Sequence, residues 1–557
     1  MDSSPVINKQ LRISPKLVLA AISIFIVTVR LCSLPFPDLV DTTEGRYAGV
    51  AQIMLQRDDW VTPWIHYEGI DQPYLGKPPL HFWLMQTSYL VFGQNNFAAR
   101  LPGVVSAVGI GVTLGIGVLS LLGWEAALVA IAVFASSCMT FFLSGAALLD
   151  VTLTLGTTIT LVGLLLVERT KIAGYLVFVG LALGVMTKGP LACILVGCVV
   201  VPWAIGHRIL AKRWPPHLAQ LPWVAGTVLF LVLVIPWYIW AEIRNPGFLE
   251  YFLWNENFGR YLKKDYVDEY GSGHRQPFGA AIFMMLLALF PWSFLLLGLL
   301  VPRVKRILSK QIFATLAADS LLLFALCWSV SCSALLLGAT QYTATYLMPS
   351  VPGFALLAGV LWNRYRAQAL IRDLFLRKAL ILATGFILAV WVVISVISLW
   401  FTPNLIVTGA SLGLALWISV AVLRFISSSR NSDQNLGILV LLSLVSTLAY
   451  GAATLCLNNY LSVNRSSRQV LATVQTLNPS GTPLRVGFPF YFPFSAWFYA
   501  PQVLSPGSSL VEFEGGDLSA AAADVFVVRK RNLDRFKKEL PDAHEIGAAG
   551  QWRIMKR

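Results

Sequence analysis

Two carboxylates, a guanidinium and a phenol are gathered in the run Asp41-Thr-Thr-Glu44-Gly-Arg46-Tyr47, just after the first apolar segment. If the run is helical, Asp41 and Glu44 stand three apart and face the same way. Lys77 follows in Gly76-Lys77-Pro78-Pro79, where the prolines hold the chain extended and fix where the ammonium points. Further along are Asp150, which opens an apolar segment, and Lys188 in Thr187-Lys188-Gly189-Pro190. Arg260 in Trp254-Asn-Glu256-Asn-Phe-Gly-Arg260-Tyr261 and Tyr346 in Tyr346-Leu-Met-Pro349 complete the set. Carboxylates with several cations suit a reaction in which a phosphate is held and departs while a carboxylate accepts a proton.

Each candidate also has a plainer role. Asp41 and Asp150 suit helix N-caps. Lys77 could be a snorkelling cation. Arg260 could pair with Glu256 four residues earlier, and Tyr346 could belong to an interfacial aromatic belt. Asp41 is less easily dismissed, because Glu44, Arg46 and Tyr47 stand beside it. Lys188 falls in a turn of the kind from which lysine is normally depleted.

The elements that position these residues are mostly membrane helices. Of 557 residues, 56% are hydrophobic and only 13% charged, about half the charge of a soluble domain; the mean hydropathy is +0.68. Apolar segments fall near 17–35, 98–121, 125–143, 151–167, 172–187, 190–206, 221–241, 277–300, 313–335, 345–362, 379–401, 405–424 and 435–457. The stretch 79–93 is short for a crossing of about 20 residues. If it does not cross, the basic loops around Arg169, Arg208–Arg213, Arg303–Lys310, Arg364–Lys378 and Arg424–Arg430 all lie on the side of the N-terminus. If it crosses, they all move outside, against the positive-inside rule. The expectation is therefore an interfacial helix at 79–93 and thirteen spans, with the C-terminus outside. The first span keeps its basic flank and lacks a small-residue cleavage site. The polar candidates then share the outer face.

The first outer loop, 36–97, reads as an interfacial helix from Asp41 to about Arg57, an irregular Pro/Gly/Trp stretch, then 79–93. A second long outer loop covers 242–276. Residues 1–457 form the membrane domain, and 458–557 alternate apolar and polar runs as in a small α/β domain outside the membrane. The net charge of +14 sits mainly in alternate loops, so it reports topology and implies no nucleic-acid partner. The seven cysteines lie in or beside apolar segments without a CxxC pair, and the histidines lack ligand spacing. No metal or other cofactor is supported, and a disulfide framework is not expected.

These motifs, in this order, resemble the GT-C membrane glycosyltransferases, above all the bacterial aminoarabinose transferases that decorate lipid A, with the protein O-mannosyltransferases as relatives. The resemblance implies a multi-pass enzyme of the bacterial inner membrane, with its active site and C-terminal domain on the periplasmic face. It implies transfer of a sugar from an undecaprenyl-type phosphate carrier to a lipid A-like or other envelope glycolipid, glycan or protein acceptor. A monomer is expected. Asp41 matches the principal acidic position and Asp150 the second, with Glu44 beside them. Lys77, Lys188, Arg260 and Tyr346 match positions near the carrier phosphate, and Arg46 and Tyr47 join that group. Gly76 stands where the family commonly has glutamate, and Asn255 and Asn257 flank Glu256 where it usually has histidines. A protein or polysaccharide O-glycosyltransferase of the same fold is the alternative. From a different class, a lipid-linked sugar flippase would place its polar residues at mid-membrane, with inverted repeats; no repeat is visible here.

Overall fold

The computed structural model describes residues 15–67, 69–259, 275–300, 315–337, 341–365, 374–401, 432–513 and 523–557, with a few isolated positions between them. Its first half comprises α1 (Pro15–Ser33), α2 (Thr43–Gln56), β1 (Trp64–Tyr67), β2 (Ile70–Pro73), α3 (Leu80–Phe92), α4 (Asn96–Leu122), α5 (Trp124–Ala135), α6 (Cys138–Ser144), α7 (Asp150–Leu166), α8 (Lys171–Lys188) and α9 (Leu191–Ala211). Among the described residues, eight helices are long and apolar enough to cross a membrane, or ten if two bent pairs each count as a span. Asp150–Leu166 and Ser320–Leu336 are shorter apolar helices. The expected segment 405–424 lies largely outside the described residues. At 13 residues, α3 is too short to cross.

Two expected straight spans are broken. α5 and α6 meet at 62°, and Ala280–Ala288 meets Trp292–Gly298 at 113°. The chemistry of the breaks is local. Ser136 and Ser137 turn their hydroxyls back onto Ala132 O and Val133 O, both at 2.6 Å, which bends helices. Pro291 removes a donor at the second break. The breaks then satisfy one another: Phe290 O accepts from Cys138 N at 2.9 Å and from Tyr450 OH at 2.7 Å, and Trp292 Nε1 donates to Ser136 Oγ at 3.1 Å. Backbone freed inside apolar surroundings needs such partners.

The stretch expected to be irregular between α2 and α3 holds a β-hairpin, with Ile65 opposite Gln72 and Tyr67 opposite Ile70. Gly69, at φ +80°, makes its tight turn. Arg57 Nη2 pairs with Asp71, one step from that turn, at 2.7 Å.

α7 and α8 pack so closely that a Cβ on Gly156 would stand 2.6 Å from Gly184 N and 2.7 Å from Gly180 O. Small residues permit this approach. Because the helices are antiparallel neighbours, the first residue of α7, Asp150, meets the last residue of α8, Lys188.

The last membrane helix, Ser432–Arg465, runs without interruption through the composition change at 458. Beyond it, five strands form one sheet, ordered β4 (Ser509–Phe513), β3 (Arg485–Pro489), β5 (Val525–Arg529), β7 (Trp552–Lys556), β6 (His544–Ala549). β3 is parallel to β4 and β5, while β7 is antiparallel to β5 and β6. Val486, Phe488, Val527 and Ile554 are fully buried within it. This sheet domain is latched to the first loop: Tyr499 OH accepts from Leu39 N at 2.7 Å and donates to Asn96 Oδ1 at 2.6 Å. Arg468 pairs with Asp38 at 2.8 Å.

Replacing Gly156 by Leu should separate α7 from α8, at a cost of about 1–3 kcal/mol or more. Thermal unfolding of the purified protein in detergent would register this as a clear loss of melting temperature.

Candidate active site

The polar candidates gather where one set of helix ends meets the sheet domain. The opposite ends carry Lys171, Arg208, Arg213 and Arg364, with the Arg364–Asp319 pair among them at 3.6 Å. That separation matches the charge partition read from the loops.

Neither aspartate caps the helix it precedes or opens. α2 has no side-chain cap at Thr42, and α7 has none at Leu149. Asp41 instead reaches the distant helix Phe494–Val503. Its Oδ1 accepts from Ser495 N at 2.8 Å, and its Oδ2 accepts from Ser495 Oγ at 2.5 Å. The backbone N–H of Asp41 donates to Arg465 O at 2.8 Å. The half-buried carboxylate lines a cavity of about 880 Å³, with Arg30, Arg465, Tyr491, Arg529 and Arg531 among the other walls. Burial pushes the carboxyl up to about 7, against the Ser495 hydrogen bonds and Arg529, which pull it down.

Glu44 touches the same cavity but is fully engaged. Arg100 Nε and Nη2 donate to its two oxygens at 2.7 and 2.9 Å. Val40 N and Ala147 N add bonds at 2.9 and 3.0 Å. Burial would raise this carboxyl, but the Arg100 charge and these donors hold it below the ordinary range. Arg100 also donates to Leu34 O at 2.9 Å and to Pro37 O at 2.5 Å.

A second polar group lies farther along the same elements. Asp150 Oδ1 accepts from Lys188 Nζ at 2.8 Å, with both residues buried. The same ammonium stands 4.8 Å over the Tyr346 ring. Lys77 pairs with Glu256 and donates to Gly76 O at 2.7 Å. Burial would lower the Lys77 ammonium, yet Glu256 holds it above its ordinary range. Tyr47 packs edge-on against Phe82 at 5.8 Å. Arg46 lies among the rings of Tyr47, Tyr74 and Phe494, at 5.5, 5.9 and 5.7 Å. α2 and the segment 147–150 join the two polar groups: Glu44 binds Ala147 N, Leu148 lines the Asp41 cavity, and Asp150 pairs with Lys188.

The structure therefore brings together Asp150, Lys188 and Tyr346, and separately Lys77 and Glu256. It places Asp41 and Glu44 on one cavity wall. Arg260 lies outside the described residues, and Glu256, read as its partner, pairs with Lys77. Sequence reasoning missed Arg100, Ser495 and Arg529. It also missed His81, which is buried beside the Asp150–Lys188 pair with Nδ1 2.9 Å from Thr152 Oγ1. Of these, only Arg100 carried a signal, as a charge inside the run Ala98-Ala99-Arg100-Leu101. Among the described residues, no group of three or more His, Cys, Asp or Glu could hold a metal.

Membrane helices packed under a small sheet domain, with ion pairs at the junction, make a fold that has counterparts among solved structures. ArnT from Cupriavidus metallidurans matches over 97% of both chains in the apo state, with a TM-score of 0.72 at 18% identity. The same protein bound to undecaprenyl phosphate matches over 97% of this chain and 98% of that one, with a TM-score of 0.74 at 18% identity. Residues 18–252 match the family model described as dolichyl-phosphate-mannose-protein mannosyltransferase. The chain is 29% identical to the undecaprenyl phosphate-alpha-4-amino-4-deoxy-L-arabinose arabinosyl transferase of Erwinia tasmaniensis, over 66% of this chain and 65% of that protein. It is 31% identical to the enzyme of that name from Aeromonas salmonicida, over 51% and 50%. The match thus spans between half and two-thirds of these curated relatives' length.

Because Glu44 and Arg100 are buried together, removing one strands the other's charge. Arg100→Ala should cost about 3–5 kcal/mol, visible as a large loss of folded protein in detergent-solubilised thermal melts.

Proposed function

We propose that this chain is a glycosyltransferase that moves a sugar from a polyprenyl-phosphate carrier to an envelope acceptor. The observation that carries this reading is that the cavity holding Asp41 and Glu44 lies on the same elements as two carboxylate-paired lysines, the buried Lys188 and the half-buried Lys77. Lys188 spends one of its three donors on Asp150, and Lys77 spends two on Glu256 and Gly76. Each ammonium keeps a donor for a phosphate oxygen. Asp41, with two lone-pair sites left over from Ser495, is the base. An acceptor hydroxyl attacks the anomeric carbon and its proton passes to Asp41. The bond from that carbon to the phosphate oxygen breaks, and its electron pair leaves with the carrier phosphate, which Lys77, Lys188 and Tyr346 steady. Arg46 and Tyr47 belong to the wall between the two halves of the reaction, and Asp150 orients Lys188. Glu44, held by Arg100, shapes the Asp41 wall.

The names of the relatives support 4-amino-4-deoxy-L-arabinose, a pentose, as the sugar and undecaprenyl phosphate as the carrier. Lipid A is the acceptor that fits this assignment. The polar groups stand at helix ends, which favours an enzyme over a flippase with a mid-membrane site. We place these ends, and the domain 458–557, on the periplasmic face of the inner membrane, above the membrane domain 1–457, with one chain sufficient for activity.

Asp41→Asn should lower sugar transfer by at least about 100-fold while the protein folds and purifies normally. Transfer would be followed with radiolabelled undecaprenyl-phosphate sugars, pentose and hexose, and lipid A; near-normal turnover by the variant would refute the base. Lys77→Ala should raise the donor KM about 10- to 100-fold and change acceptor dependence little. An unchanged donor KM would remove Lys77 from the phosphate site.

A further inference from the structure

The carboxylate read as the base does not stand alone on its loop. Both of its oxygens are held by one residue, 454 positions away, in the sheet domain. Ser495 is fully buried near the start of the helix Phe494–Val503. Its N–H is one of the first-turn donors that a helix leaves without an internal partner, and Asp41 Oδ1 satisfies it. Its hydroxyl points at Oδ2.

Behind Ser495 stands Ser467, also fully buried, at the start of the helix Arg468–Thr476. Ser467 N donates to Ser495 Oγ at 3.0 Å, and the two hydroxyl oxygens are 2.8 Å apart. A serine hydroxyl has one proton. When Ser495 gives its proton to the Asp41 carboxylate, Ser467 must donate to Ser495. When Asp41 is protonated and donates, both serine hydroxyls can reverse. The pair is therefore a short chain whose direction follows the charge on Asp41.

The approach is close enough to dictate a residue in the first motif. A Cβ on Gly45 would lie 2.7 Å from Ser495 N and 2.9 Å from Asp41 Oδ1. The glycine in Asp41-Thr-Thr-Glu44-Gly45 is the space through which the sheet domain reaches the carboxylate.

We infer that Ser495 is a positioning residue contributed by the C-terminal domain, which with Ser467 behind it fixes the orientation of the Asp41 carboxylate and sets the pH at which that carboxylate can act. This deepens the reading of Asp41 as base and rests on it. The other titratable and charged groups on this cavity are Glu44 at the start of α2, Arg529 on β5, and Arg30, Arg100, Arg465, Tyr491 and Arg531 on its walls. Glu44 pushes the carboxyl up and Arg529 pulls it down. None of them is altered by substitutions at 495 or 467.

The test is the pH profile of kcat/KM for the full-length protein in detergent or nanodiscs, with radiolabelled undecaprenyl-phosphate 4-amino-4-deoxy-L-arabinose and lipid A. Without the Ser495 hydroxyl, the Asp41 carboxylate loses a bond that favours its charged form. Ser495→Ala should move the acid limb upward by about one pH unit, an eightfold or so loss at pH 6.5 and less than about twofold at pH 9. Ser495→Thr should restore the limb, and Ser467→Ala should move it the same way by less.

A second readout needs no turnover. Asp41 has a folded-state value of about 7, above its ordinary 3.8. Its contribution to stability is thus fully present below about pH 4 and is lost as pH rises through about 7. The melting temperature of the wild type relative to Asp41→Asn should fall over that window and level off above it. Ser495→Ala should push the levelling point higher relative to Asp41→Asn/Ser495→Ala.

An acid limb and a levelling point that both stay put in Ser495→Ala and Ser467→Ala would overturn the inference, as would a uniform loss of activity at every pH. If Asp41→Asn itself turns over normally, the reading of the base fails instead. The two failures are told apart by running that variant in parallel. Should Ser495→Ala fail to fold, Ser467→Ala decides on the same two curves.

Discussion

The Arg100 guanidinium, buried at the start of α4, is the fixed point on which the site depends. One face takes the carbonyls of Leu34 and Pro37 at the end of the first span, and the other takes both oxygens of Glu44. Glu44 then binds the backbone at Val40 and at Ala147. One ion pair thus fixes the loop carrying Asp41, the start of α2, and the turn that leads into Asp150. A charge pair away from water stabilises only when its remaining donors and acceptors are also met. Here the backbone carbonyls and N–H groups meet them.

The site separates its carboxylates by environment. Glu44 and Asp150 are each neutralised by a buried cation. Asp41 faces only neutral donors at bonding distance and stands at a cavity wall, so burial dominates and its proton affinity rises toward neutrality. Carboxylates of the same loop region are thereby given different work. Lys77 follows the opposite logic: burial would discharge it, and Glu256 keeps it charged.

Much of this was legible in the residues. Apolar runs and the placement of basic loops located the helices and put Lys77, Asp150, Lys188 and Tyr346 at the same ends. The turn Thr187-Lys188-Gly189 was informative because a lysine on that side needs a reason. What stayed hidden is non-local or directional. Hydropathy measures oil and not heading, so the breaks at Ser136 and Pro291 read as straight spans. Ser495 gives no signal of its own, since a serine near a helix start is common and its partner lies in the first loop. Glu256 was read only with its near neighbour Arg260, and its pairing with Lys77, 179 positions away, has no local signal.

The uninterrupted last helix has a mechanical meaning. Its apolar stretch and extension, Leu436–Arg465, cover 30 residues, or roughly 45 Å at 1.5 Å per residue. The hydrocarbon layer is about 30 Å thick, so at most about 15 Å of this rod stands clear of it. The rod ends at Arg465, whose carbonyl grips the Asp41 backbone. It is a gauge that holds the Asp41 carboxylate at the depth of lipid headgroups. Whatever meets Asp41 must be presented at that height, neither drawn into the oil nor standing far out in water.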